Sequence, residues 1–196
     1  MPDSFDTIDL ASVDVARERR RPHERLLVRF PVLARALFGL GSRLPVGSRS
    51  RRFLLTRLAE QAASAANRRD FDVLTLGLDP ELDYCVISGG PGGGIVPDLV
   101  GHHYGPAGYV HVWRTMLEGF DDLTLVPEEL RDLGDRLVST TRLRGHGSGS
   151  GVPIDQHLFQ VFTLRRGLAV KQEDFGSRAE ALAAAGVPEA RAPERA

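Results

Sequence analysis

Apolar positions fall into two regimes along the chain, spaced by three and four up to about residue 120 and alternating beyond it. Leu26, Phe30, Leu33, Leu37, Leu40 and Leu44 step by four and three in turn, which predicts one helix over about 26–44 with these side chains on a single stripe. Arg25, Arg29, Arg35 and Arg43 lie off that stripe, so the helix is basic and amphipathic. The stripe is expected to pack on the main domain or on a second subunit, and contact with an anionic membrane surface is the lesser alternative. Pro45-Val46-Gly47-Ser48 breaks the pattern. A helix is predicted over 51–68, with Leu54, Leu58, Ala62 and Ala65 inward, and a short one over 71–76. Asp79-Pro80 reads as a turn, and residues 82–87 as a first strand. Tyr109, Val112, Trp113, Met116, Leu117 and Phe120 share one face of a helix over 108–120.

The alternating half predicts strands over 123–132, 136–146, 152–164 and 168–175, joined by turn residues as an antiparallel meander. A helix over 178–185 is stopped by Gly186 and Pro188. Helices followed by hairpins argue an α+β domain over 50–187. Residues 1–48 form an extension, disordered over 1–21, and 188–196 a frayed tail. Residues 89–94, five of them glycine, read as a flexible loop. They lack the Lys-Ser or Lys-Thr of a phosphate-binding loop and the spacing of a dinucleotide fingerprint.

Charge sharpens the division. The net charge is only −1, yet residues 17–52 hold eleven arginines against Glu18 and Glu24, leaving an acidic body. The basic segment has no interleaved aromatics, so nucleic acid is not an expected partner. Cys85 is the single cysteine, which rules out an intrachain disulfide and fits a cytoplasmic setting. No apolar run approaches the ~20 residues of a membrane span. The apolar residues 30–40 are interrupted by Pro31 and Arg35 and lack a small-x-small site after them, so they read as helix rather than leader.

The last hairpin offers candidate chemistry. With Arg165-Arg166-Gly167 as a three-residue loop, Leu164 pairs with Leu168, Phe162 with Val170, Gln160 with Gln172 and Leu158 with Asp174. Lys171 and Glu173 mark the opposite face as wet, so the first face is the inner one. Gln160, Gln172 and Asp174 then gather as polar groups able to orient a ligand, or to satisfy one another. Burial would raise the pKa of Asp174 and suit it as a general base. Asp155 and His157 share a strand face that is outer in strict register, and a β-bulge would swing them inward as an acid–base pair or as two metal ligands. His103 and Tyr104 precede the 108–120 helix, where loops frame pocket mouths. Tyr109 and Trp113 are expected to wall the cavity. No histidine spacing supports a metal site, and no cofactor is expected.

Several segments together resemble the SnoaL-like, nuclear transport factor 2-like family across about residues 51–187. They are Asn67-Arg68-Arg69-Asp70-Phe71-Asp72, Leu133-Gly134-Asp135-Arg136, the small-residue stretch from Arg144-Gly145-His146 to Gly151-Val152, Phe162-Thr163-Leu164-Arg165-Arg166-Gly167 and Arg178-Ala179-Glu180-Ala181-Leu182. The resemblance implies a cone: a curved antiparallel sheet wrapped around helices, with a central pocket. Its members include polyketide cyclases, a steroid isomerase, an epoxide hydrolase, a dehydratase and non-catalytic binding modules, so fold does not settle function. Asp174 resembles the acid of the epoxide hydrolases, but their arginine and second carboxylate have no clear match. Gln160 stands about where the steroid isomerases carry a protonated acid, and a glutamine cannot titrate.

Two readings follow. One is a module that binds a small, largely apolar molecule, with a homodimer as a further expectation. The other is a lyase, isomerase or polyketide-cyclase-like enzyme using Asp174 or His157 as general base. A matched acid–base pair would separate them, and none is evident.

Overall fold

The computed structural model describes residues 5–13, 15, 19–87 and 97–187; the glycine-rich stretch and the expected frayed tail lie outside them. The elements run β1 (Asp6–Asp9), α1 (Pro22–Arg29), α2 (Pro31–Gly41), α3 (Arg49–Asn67), α4 (Phe71–Leu74), β2 (Leu78–Val86), a 3-10 turn (Pro97–Leu99), β3 (Gly101–Tyr104), α5 (Gly105–Glu118), β4 (Thr124–Asp132), β5 (Arg136–His146), β6 (Pro153–Arg165), β7 (Leu168–Phe175) and α6 (Arg178–Ala184). Ser48, Asp70 and Ser177 start α3, α4 and α6, each side chain accepting a backbone N–H of the first turn.

One seven-stranded sheet has the order β1-β4-β5-β6-β7-β2-β3. The predicted meander β4 to β7 forms its antiparallel centre, while β2 joins β7 in parallel and β3 lies antiparallel on the edge. The fold is α+β, as expected. On the inner face α5 packs Tyr109, Val112, Trp113 and Met116 against Leu82, Tyr84, Leu143 and Leu158. On the outer face α6 covers Val138, Val161 and Phe175 with Ala181 and Leu182. The outer face is therefore apolar at its centre rather than wet throughout, although Lys171 and Glu173 pair on it at 2.8 Å.

Four local expectations change. Residues 6–9, expected to be disordered, form β1, because Ile8 and Leu10 bury themselves with Leu55 and Leu130 while the backbone completes the edge of β4. That alternation is too short to register in the sequence. The single helix expected over 26–44 is two, since Pro31 lacks an N–H and drives Phe30 out of helical geometry (φ −127°, ψ 74°). Asp79-Pro80 makes no turn but an irregularity within β2, where pairing with β7 skips from Leu78 to Asp83. The residues around His102 and His103 form β3 rather than a loop.

The leucine stripe is the largest departure. In α1 and α2 only Glu24 and Ala34 are buried, and Leu26, Phe30, Val32, Leu33, Leu37 and Leu40 are exposed. What holds this segment down is charge. Glu24, 1 % exposed, accepts from Arg68 (2.9 Å); Arg20 makes a fork to Asp70 (2.6 and 2.6 Å); Arg21 bonds Glu60. Arg51 forks to Asp132 (2.6 and 2.8 Å) and donates to the Ser42 and Leu44 carbonyls (both 3.1 Å) and to that of Gly134 (2.6 Å). The α2–α3 connection is thereby locked onto the β4–β5 turn. These bonds reach charged partners on the body, which is why apolar periodicity misplaced the segment.

Candidate functional site

The β6–β7 hairpin sets the site, and its turn is shorter than the sequence suggests. Arg166 and Gly167 both take positive φ (54° and 79°), the geometry of a two-residue hairpin turn, so Arg165 pairs with Leu168 and Leu164 with Ala169. That slip of one residue would invert every side chain of β7. A bulge at Val170 inverts them back, giving Phe162 opposite Gln172 and Gln160 opposite Asp174. The expected inner face of Gln160, Phe162, Gln172 and Asp174 thus survives although each pairing is wrong. Near the turn Ala169, not Val170, faces inward.

Between this face and the helices lies a cavity of about 260 Å³. Leu55, Leu58 and Ala62 line it from α3, Tyr109 and Trp113 from α5. Leu137, Ser139 and Thr141 on β5, and Gln160, Phe162 and Gln172 on the hairpin, close the sheet side. The wall is apolar with few polar groups, the composition of a small-molecule site, and its size is at the small end of such sites.

Asp174 stands behind that wall and does not line the cavity. It is 2 % exposed, and three donors meet its carboxylate: Tyr84 Oη on Oδ2 (2.5 Å), with Gln160 Nε2 (2.9 Å) and Gln172 Nε2 (3.1 Å) on Oδ1. Burial raises its pKa above the ordinary 3.8, against these donors, which favour the charged form. Burial, and then the Asp174 charge, push the phenols of Tyr84 and Tyr109 well above their usual range. The trio therefore satisfies itself. Gln172 Oε1 is buried without a hydrogen-bond partner, while the Trp113 indole N–H has the Tyr109 hydroxyl as its neighbour. Tyr84 was missed by sequence reasoning, although Leu82, Tyr84 and Val86 alternate onto one buried face.

Other sequence candidates lie elsewhere. β5 and β6 pair in unbroken register from Arg136–Thr163 to His146–Pro153, so no bulge turns Asp155 or His157 inward. On the outer face Asp155 pairs with Arg142 (2.5 and 2.6 Å), and His157 Nε2 lies 3.1 Å from Glu128. His103 bonds the Leu99 carbonyl at 2.8 Å, and Tyr104 is exposed; neither lines the cavity, because β3 sits on the sheet edge beyond β2. His102 is taken up by Asp83 (2.7 Å) and His146 by Asp122 (2.9 Å).

The cavity wall carries a feature the sequence did not announce. Phe38, Gly41 and Ser42 of the extension line the cavity, so α2 supplies part of its wall. Its backbone lies so close to the hairpin that a Cβ on Gly167 would come 2.1 Å from the Phe38 carbonyl oxygen.

Chains of known structure share this architecture. TerC, in a structure co-crystallised with polyporic acid, is 21 % identical with a TM-score of 0.53, the match covering 63 % of this chain and 92 % of TerC. A nuclear transport factor 2-like protein of unknown function from Burkholderia pseudomallei is 22 % identical with a TM-score of 0.53, covering 65 % and 93 %. A protein with a ketosteroid isomerase-like fold from Catenulispora acidiphila, in complex with trimethylamine, is 14 % identical with a TM-score of 0.51, covering 67 % and 93 %. These likenesses concern the fold. No curated protein matches the chain. Residues 59–172, more than half of the sequence, match the SnoaL-like domain, from the end half of α3 through the strands that wall the cavity, and the chain belongs to that family.

Proposed function

We propose that the chain binds a small, largely apolar molecule in the cavity between α3, α5 and the sheet. The observation that carries this reading is the cavity itself, about 260 Å³, walled mainly by apolar side chains with Ser139, Thr141, Gln160 and Gln172 among its few polar groups. TerC and the Catenulispora protein, similar in fold, were each crystallised with a small molecule. The general-base reading gains no such support: both Asp174 oxygens are taken by donors, and His157 lies on the outer face.

Trp113 is the chain's one tryptophan, so its emission reports on the cavity. Titration with anilinonaphthalene sulfonate, an apolar dye with one polar group, should quench Trp113 by energy transfer and saturate. Ser139→Phe, which fills the cavity from β5, should weaken that binding at least tenfold, and His157→Gln should leave it unchanged. Equal binding by wild type and Ser139→Phe would sink the proposal.

A further inference from the structure

Helix α2 is apolar on two sides. One side turns Phe38 and Gly41 to the cavity, and the other leaves Val32 (79 % exposed), Leu33, Leu37 and Leu40 (62 % exposed) outward. Leu26 from α1, Phe30 from the α1–α2 link and Phe53 from the start of α3 are exposed apolar side chains of the same stretch of chain. An all-round apolar helix at a protein surface has its outer side covered by something.

The surrounding charge points to what covers it. Arg25, Arg29, Arg35, Arg43 and Arg49 are all exposed, and none has a carboxylate partner among the described residues. Their neighbours Arg20, Arg21, Arg51 and Arg52 are by contrast all paired with acids of the chain. The free guanidinium groups therefore fall in the same stretch of chain as the exposed leucines. A second copy docking on the same face would set this cationic rim against itself, because a two-fold interface brings like patches together. An anionic bilayer offers both complements at once, acyl chains for the leucines and headgroup charge for the arginines. No helix among the described residues is long and apolar enough to cross a membrane, so the contact is peripheral.

We propose that the outer face of α1 and α2 docks on an anionic lipid surface. Docking would set the cavity's α2 wall against the bilayer, making the membrane the source or destination of the bound molecule. That consequence rests on the cavity reading above; the docking does not.

The test is co-sedimentation of the full chain with phosphatidylcholine vesicles, with and without about one third phosphatidylglycerol. Wild type should bind the anionic vesicles and not the neutral ones, less tightly as salt rises. Arg25→Gln/Arg29→Gln/Arg35→Gln should lower the partition by roughly a hundredfold, at about fivefold per charge near the surface. Leu33→Ser/Leu37→Ser/Leu40→Ser should lower it at least tenfold. All six positions are exposed, so both variants should melt as wild type does. Dye binding at Trp113, measured without vesicles, should persist in both, which separates failure of docking from failure of the cavity reading. Wild type left in the supernatant, or variants that bind like wild type, would overturn the proposal. So would a wild-type dimer in sedimentation velocity that the leucine variant dissolves, since the face would then belong to a second copy.

Discussion

The extension and the body are held by opposite means. The body buries apolar side chains in register on both faces of a sheet, and on the inner face Tyr84, Gln160, Gln172 and Asp174 answer one another. The extension leaves its leucines outside and is tied down by charge instead, Glu24 against Arg68, and its Ser42 and Leu44 carbonyls against Arg51, which is itself paired with Asp132. Apolar contacts are non-directional and tolerate rearrangement, whereas forked ion pairs fix position and orientation. A helix that must form a cavity wall while keeping an apolar side free gains from the second kind of attachment.

The comparison breaks most sharply at Arg51. It is 4 % exposed and Asp132 is 0 %, so Arg51→Ala would leave a buried carboxylate without its partner and release the carbonyls of Ser42, Leu44 and Gly134. A loss of about 3–5 kcal/mol is expected in denaturant unfolding. Arg51→Met/Asp132→Leu, which removes both charges, should recover much of it. A loss below ~1 kcal/mol for Arg51→Ala would mean that the extension is not anchored by this pair.

This anchor also marks where sequence reading stops. Its two partners are 81 residues apart, and neither belongs to a periodic pattern, so nothing local joins them. The strands β4 to β7 were legible because alternation is itself local, and α5 because its buried face repeats, whereas of the face expected inward on α3 only Ala65 is buried and Leu54, Leu58 and Ala62 line the cavity. The leucine stripe was legible as a stripe but not as an exposed one, since periodicity reports which side chains share a face and not what that face meets. The inner trio was placed on the correct side only because a short turn and the bulge at Val170 cancel. Asp174 was brought to the site but not into the cavity, because its distance behind the two glutamines depends on packing.

A smaller effect is expected where the extension touches the hairpin. Gly167 holds a left-handed φ of 79° under the Phe38 carbonyl. Gly167→Ala adds strain there and forces α2 outward, costing about 1–3 kcal/mol. If α2 is part of the cavity wall, the same variant should weaken dye binding at Trp113 by more than its loss of stability explains. Thermal melts and dye titration on one preparation check both. Unchanged binding would detach the cavity from the extension.

The smallest effect sharpens the body's side of the comparison, and its signature is in pH. Burial raises the Asp174 pKa in the folded chain above 3.8, while in the unfolded chain the group is close to its ordinary value. Between those two values the folded chain holds more proton than the unfolded one, so this group's contribution to stability falls as pH rises. It is fully present below the unfolded pKa and is lost as pH climbs through the folded one. Asp174→Asn removes that dependence and keeps the side chain's size, and should fold with a change of about 1–2 kcal/mol from the lost charge-assisted bonds. The other carboxylates are common to both chains and cancel in the difference. Stability relative to wild type should therefore move in favour of Asp174→Asn from about pH 4 upward and then level off once the folded carboxyl has ionised. The carboxyl-carbon NMR shift of Asp174 should place its midpoint in the same interval. A difference that is flat across that interval, with a midpoint at the ordinary value, would show Asp174 to be solvated, and the buried network with Tyr84, Gln160 and Gln172 would then not exist in solution.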